Sequence, residues 1–126
     1  MKKIIKTIII ELAKIKKVKA IYLFGSQATR KTWALSDIDI CVIAPDATEK
    51  EKNEIQGYAS KKVDVVLFTD LPLTIKNRIF QEGKSLYITD KKYISALAWR
   101  TTKEYWDFKP ILKEFINEYL PGVTYV

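Results

Sequence analysis

The tightest constraint on the fold is a pair of short apolar runs separated by a polar segment with distinctive punctuation. Ala20-Ile21-Tyr22-Leu23-Phe24 is closed by Gly25-Ser26, and a second run over residues 36–44 carries Asp37-Ile38-Asp39 at its start and stops at Pro45-Asp46. Both runs have the length of strands rather than helices, and the first is apolar throughout, as expected of a buried strand. A third run, residues 62–68, carries Asp64 and ends at Thr69-Asp70, and residues 85–88 read as a short fourth strand.

Helical patterns fill the spaces between these runs. Residues 2–17 place Ile5, Ile8, Ile9, Leu12 and Ile15 on one stripe, which makes the basic N-terminus an amphipathic first helix rather than a leader or a membrane span. Residues 48–60 begin with Thr48 and Glu51 in capping-box spacing, and Gly57 weakens the end. Residues 72–82 have Pro72 near their start and Gly83 after their end. Residues 27–35 are expected to form a short helix and loop.

From Lys91 the pattern is helical almost to the end, with Pro110 expected either to split it or to open a second helix capped by Asp107. Ile94, Leu97, Ala98, Tyr105, Phe108, Leu112, Phe115 and Tyr119 form a stripe most simply read as core. Trp99 and Trp106 lie off that stripe, and the sequence leaves two places for them, against the sheet or against a partner. The pattern predicts one α/β domain over residues 1–126, with residues 91–126 as a helical tail on the domain or on a partner.

The chain contains no histidine, which excludes imidazole acid–base chemistry, Ser-His-Asp triads and histidine-held zinc. Oxygen donors remain, and they favour magnesium or manganese. Cys41, the only cysteine, lies among Ile40, Val42 and Ile43 and reads as a buried thiol in a reducing cytoplasm. The net charge of +7 attracts polyanions, nucleotides and nucleic acid included. The lysines are scattered, however, and fit solvated faces equally well.

Alternation along a strand points Asp37 and Asp39 to one face. Two carboxylates there repel each other, and a divalent cation between them relieves the repulsion. Asp64 sits between Val63 and Val65 in another strand; if the strands are neighbours, three acids converge as two-metal displacement at phosphorus requires. Asp64 would complete a metal site or accept the proton of the attacking group. Gly25-Ser26, at the end of a strand and before a helical segment, suits an anion: glycine admits close backbone approach and Ser26 adds a hydroxyl.

With these residues in place, the chain resembles the minimal nucleotidyltransferases, small relatives of DNA polymerase beta and kanamycin nucleotidyltransferase. Their signature of Gly-Ser, ten residues, then Asp-x-Asp stands here as GSQATRKTWALSDID, and Asp64 in VDVVLF matches the separate third acid. IFQEGKSLY and YWDFKPIL resemble segments of the antitoxin branch, partners of HEPN-domain toxins. The resemblance implies a nucleotidyltransferase-like α/β fold with a mixed sheet flanked by helices and a C-terminal helical tail. It implies ATP as substrate, held at Gly25 and Ser26, and magnesium, two ions, at Asp37, Asp39 and Asp64. It further implies AMP transfer to a tyrosine of a HEPN toxin, blocking its RNase activity, within a hetero-oligomer. Thr29 and Arg30 depart from the usual Ala-Arg-Gly continuation of the loop, and Arg30 stands where a glycine is common. The alternatives are transfer to a small molecule or RNA, and a partner-binding module that neutralises by contact.

Overall fold

The four predicted strands assemble into one mixed sheet in the order β3-β2-β1-β4. The computed structural model describes residues 2–25 and 38–123. Along the chain run α1 (Lys2–Ala13), β1 (Ala20–Phe24), β2 (Ile38–Ile43), α2 (Glu49–Gln56), β3 (Val63–Leu67), a 3-10 turn (Phe68–Asp70), α3 (Leu73–Glu82), β4 (Lys84–Ile88) and α4 (Lys91–Tyr119). β1 lies antiparallel to both β2 and β4, whereas β2 and β3 are parallel and joined through α2. The helix expected over 27–35 lies outside the described residues.

Alternation along the strands builds two cores. Ile21, Ile38, Ile40, Val42, Val63, Val65 and Leu67 face α1 and α2, packing with Ile8, Leu12, Val18 and Ile55. Ala20, Tyr22, Cys41 and Ile43 face α3 and α4, packing with Phe68, Ile79 and Ile94. Helices on both faces explain why β1 and β2 are apolar along nearly their whole length.

Local signals set most of the helix ends. Thr48 and Glu51 form the expected capping box, with Glu51 N–H donating to Thr48 Oγ1 at 3.2 Å and Thr48 N–H to Glu51 Oε1 at 2.9 Å. That pairing holds the Glu51 carboxyl below the usual carboxylate range. α3 starts after Pro72 and is followed by Gly83, as expected. The first helix stops at Ala13 rather than reaching residue 17. Bonds from Lys14 N to Glu11 O and from Ile15 N to Leu12 O tighten its end, and Lys19 N then bonds Ile43 O at 2.8 Å to start the sheet.

α4 differs from its sequence reading in two respects. It is one helix of 29 residues with Pro110 inside it, so Asp107 is an interior residue; the cap is Asp90, whose Oδ1 accepts from Tyr93 N at 3.0 Å. Proline at 110 deprives the Trp106 carbonyl of its helical donor. The helix continues because this occurs on an exposed face, Pro110 being exposed and Trp106 60% exposed, where water can replace the missing donor. Second, the apolar stripe is core only near its start. Ile94 is buried and Leu97 packs on the sheet, but Phe115 and Tyr119 are 51% and 62% exposed. Of the two places the sequence left for Trp99 and Trp106, the sheet is not the one taken: they are 70% and 60% exposed.

Two outcomes follow from α4. Pro110→Ala restores the missing donor and raises unfolding stability by up to about 3 kcal/mol in urea titration. Trp99→Ala shifts that stability by less than about 0.5 kcal/mol, as an exposed side chain should.

Candidate active site

The parallel pairing of β2 and β3 sets Asp39 directly beside Asp64. Both lie near the amino ends of their strands, and alternation places them on the face that carries Cys41 and Val66 one step further in. Ile38 N donates to Lys62 O at 2.7 Å just ahead of the pair and fixes this register. Asp39 is half-buried and Asp64 exposed. Carboxylates on neighbouring strands and on one face of a sheet repel when both are ionised, and a cation shared between them relieves that repulsion.

On the other side of Asp39 stands the end of β1. Phe24 pairs with Asp39 across the antiparallel ladder, and Gly25 follows with φ of +77°. A Cβ built on Gly25 would collide with Asp39 Oδ2. Glycine is therefore required twice: for a backbone angle that L side chains rarely adopt, and to leave space for the carboxylate. The sequence reading placed Gly25 against a phosphate; the structure adds that it makes room for an acid.

The floor beneath the acids is apolar and uncharged. Cys41 is fully buried, and burial pushes its thiol up to about 12 against the weaker opposing pull of the Lys76 ammonium. Burial likewise raises the Tyr22 hydroxyl, with a smaller contribution from Cys41. The cysteine is thus a packing residue with no thiolate at neutral pH, as its neighbours in sequence indicated.

Of the sequence candidates, the structure brings together Gly25, Asp39 and Asp64. Ser26, Arg30 and Asp37 lie in 26–37, outside the described residues. Among the described residues, no group of three acids, histidines or cysteines gathers at one point. Two carboxylates in register, one of them accessible, beside a cradle that a methyl group would fill, fit a hard divalent cation with oxygen donors. Phe24 was not anticipated. It read as core, and only the ladder shows that it closes the side of the acidic pair.

A family model described as polymerase beta nucleotidyltransferase matches residues 6–92, which span all four strands and all three of these residues. The chain belongs to this nucleotidyltransferase family. A relative from Methanocaldococcus jannaschii, which bears the name of a protein adenylyltransferase, is 33% identical over 98 residues, 78% of each chain. One similar solved structure is a toxin–antitoxin with AMP-PNP, at 26% identity and a TM-score of 0.72 over 90% of this chain and 96% of that one. Another is the tri-AMPylated Shewanella oneidensis HEPN toxin in complex with MNT antitoxin, at 26% identity and a TM-score of 0.70 over 94% and 98%. The fold and family implied by the Gly-Ser and Asp-x-Asp spacing are thereby borne out. Among the described residues, no helix of this nucleotidyltransferase is long and apolar enough to cross a membrane.

Gly25→Ala tests the cradle. It should cost about 1–2 kcal/mol of stability from the backbone angle alone. It should also reduce nucleotidyl transfer well beyond what that loss explains, because Asp39 must move; denaturation and a turnover assay on the same sample separate the two effects.

Proposed function

We propose that this chain is the antitoxin of a toxin–antitoxin pair and transfers AMP from ATP to a tyrosine of a HEPN-type toxin, blocking the toxin's RNase activity in a reducing cytoplasm. The observation that carries the reading is the in-register Asp39–Asp64 pair beside the Gly25 cradle in a nucleotidyltransferase fold. The named activity of the Methanocaldococcus relative, the AMP-PNP bound in one similar complex and the AMPylated toxin in another support the donor and the acceptor.

In this reading residues 1–126 act as one nucleotidyltransferase unit. Asp37 and Asp39, two apart in the sequence, would hold magnesium, and Asp64 would complete the acidic set. Magnesium held by these carboxylates would offset their charge and supply Lewis-acid stabilisation of the phosphoryl oxygens. Gly25 and Ser26 hold the triphosphate: the glycine admits the phosphate close to backbone and the serine hydroxyl donates to it. The tyrosine oxygen bonds to the α-phosphorus as the bond to the bridging oxygen breaks, and pyrophosphate leaves. Asp64, the more exposed acid, either completes the metal site or accepts the tyrosine proton. The apolar floor of Tyr22, Cys41 and Val66 offers no competing nucleophile at neutral pH.

Incubation with α-labelled ATP, magnesium and the neighbouring HEPN-type protein should place label on that protein. Asp39→Asn and Asp64→Asn keep the side-chain volume and should lower transfer at least about 100-fold. Magnesium should raise the thermal midpoint of the parent chain and not that of Asp39→Asn. Equal magnesium stabilisation of parent and variant would remove Asp39 from the metal site, and label that persists in both variants would remove the acidic pair from the chemistry.

A further inference from the structure

The second half of α4 carries an apolar stripe on which, among the described residues, nothing is seated. Phe108, Leu112, Phe115 and Tyr119 recur at helical spacing, continuing the line that Ile94 and Leu97 start against the sheet. The amino end of α3 meets this line and stops: Pro72, Leu73 and Thr74 form an open groove of about 350 Å³ with Phe108 and Leu112. Beyond it Ile111, Phe115 and Tyr119 are 63%, 51% and 62% exposed, and the last two rings touch each other with centroids 4.9 Å apart. From Phe108 to Tyr119 the stripe is ~16 Å long, about three turns.

The charges beside it are sorted. At 3.6 residues per turn, Asp107, Glu114 and Glu118 fall along one flank and Lys109 and Lys113 along the other, whereas Arg100 and Lys103, one to two turns earlier, precede the acids on their own side. This sorting decides between occupants. Two copies pairing antiparallel would set the acidic flank of one against the acidic flank of the other, and lysine against lysine. A parallel pair would match opposite charges, but the first half of the same stripe is already covered by the chain's own sheet, so the two bodies would overlap. The net charge of +7 opposes self-association further.

We propose that the distal stripe of α4, from the α3 groove to Tyr119, is the docking surface for a helix of the partner toxin. That helix presents an apolar face with a basic flank against Asp107, Glu114 and Glu118. It continues end-on the packing that α3 makes with the first part of the stripe. The identity of the partner rests on the antitoxin reading above; the surface itself rests on the exposure and the charge sorting.

The test uses the full chain and the purified HEPN-type protein encoded beside it. Binding is measured by calorimetry, mass by light scattering and AMP transfer with labelled ATP. Phe115→Asp with Tyr119→Asp changes only exposed side chains, and circular dichroism checks that helix content is kept. This variant should bind the partner about 100-fold more weakly, as loss of two aromatic anchors predicts. At saturating partner it should transfer AMP at the parent rate. Glu114→Lys with Glu118→Lys should weaken binding by about 10-fold at low salt, through the flank alone. A complex lost in the aromatic variant, with no label transferred by the parent, would uphold this surface while sinking the transferase reading. The proposal is overturned if the parent does not bind or if the aromatic variant binds as tightly as the parent. It is equally overturned if the chain alone dimerises and the aromatic variant is monomeric, which would make a second copy the occupant.

Discussion

The register between β2 and β3 is the constraint from which the site follows. A shift of one residue would turn Asp64 to the α1 face and bury it in the core that holds Ile38 and Ile40, where a lone carboxylate is costly, and would turn Val63, Val65 and Leu67 out of that core. The apolar residues Val63, Val65 and Leu67 hold the register from the opposite side, matched to Ile38, Ile40 and Val42. Hydrophobic packing on one face thus sets the spacing of acids on the other. The two acids are set side by side by packing on the opposite face of the sheet, in the register that a shared cation requires.

Much of this could be read from residue types. The lengths of the apolar runs gave the strands, Thr48 with Glu51 gave a helix start that the hydrogen bonds reproduce, and Pro72 and Gly83 bracketed α3. Asp39 and Gly25 were legible because the chemistry needs acids and glycine in few other arrangements. Strand order was less legible: no local pattern says that β3 pairs parallel to β2, and without that pairing Asp64 is a lone acid. The double need for glycine at 25 was hidden for the same reason, since it depends on an acid fourteen residues later.

The misreadings share a cause. Pro110 and the apolar stripe of α4 were judged by rules that presume a helix pressed against its own core. Proline breaks such a helix because the orphaned carbonyl is usually buried, and a periodic apolar stripe marks core because a core is usually present along its whole length. α4 outruns the sheet beneath it, so Trp106 and Pro110 are exposed and Phe115 and Tyr119 face outward. Sequence periodicity reports that a face is to be covered. It does not report by which molecule.

The place of α3 in the sheet has a kinetic consequence. Its amino end, with the groove, follows the carboxyl end of β3, whereas Asp64 sits at that strand's amino end. A macromolecule held at the groove is thereby tethered a strand's length from the acids, and its reactive segment samples them at a local concentration set by the span rather than by the bulk. Residence and turnover become separate quantities in such a layout, and one anchored molecule can offer several side chains in succession before it leaves.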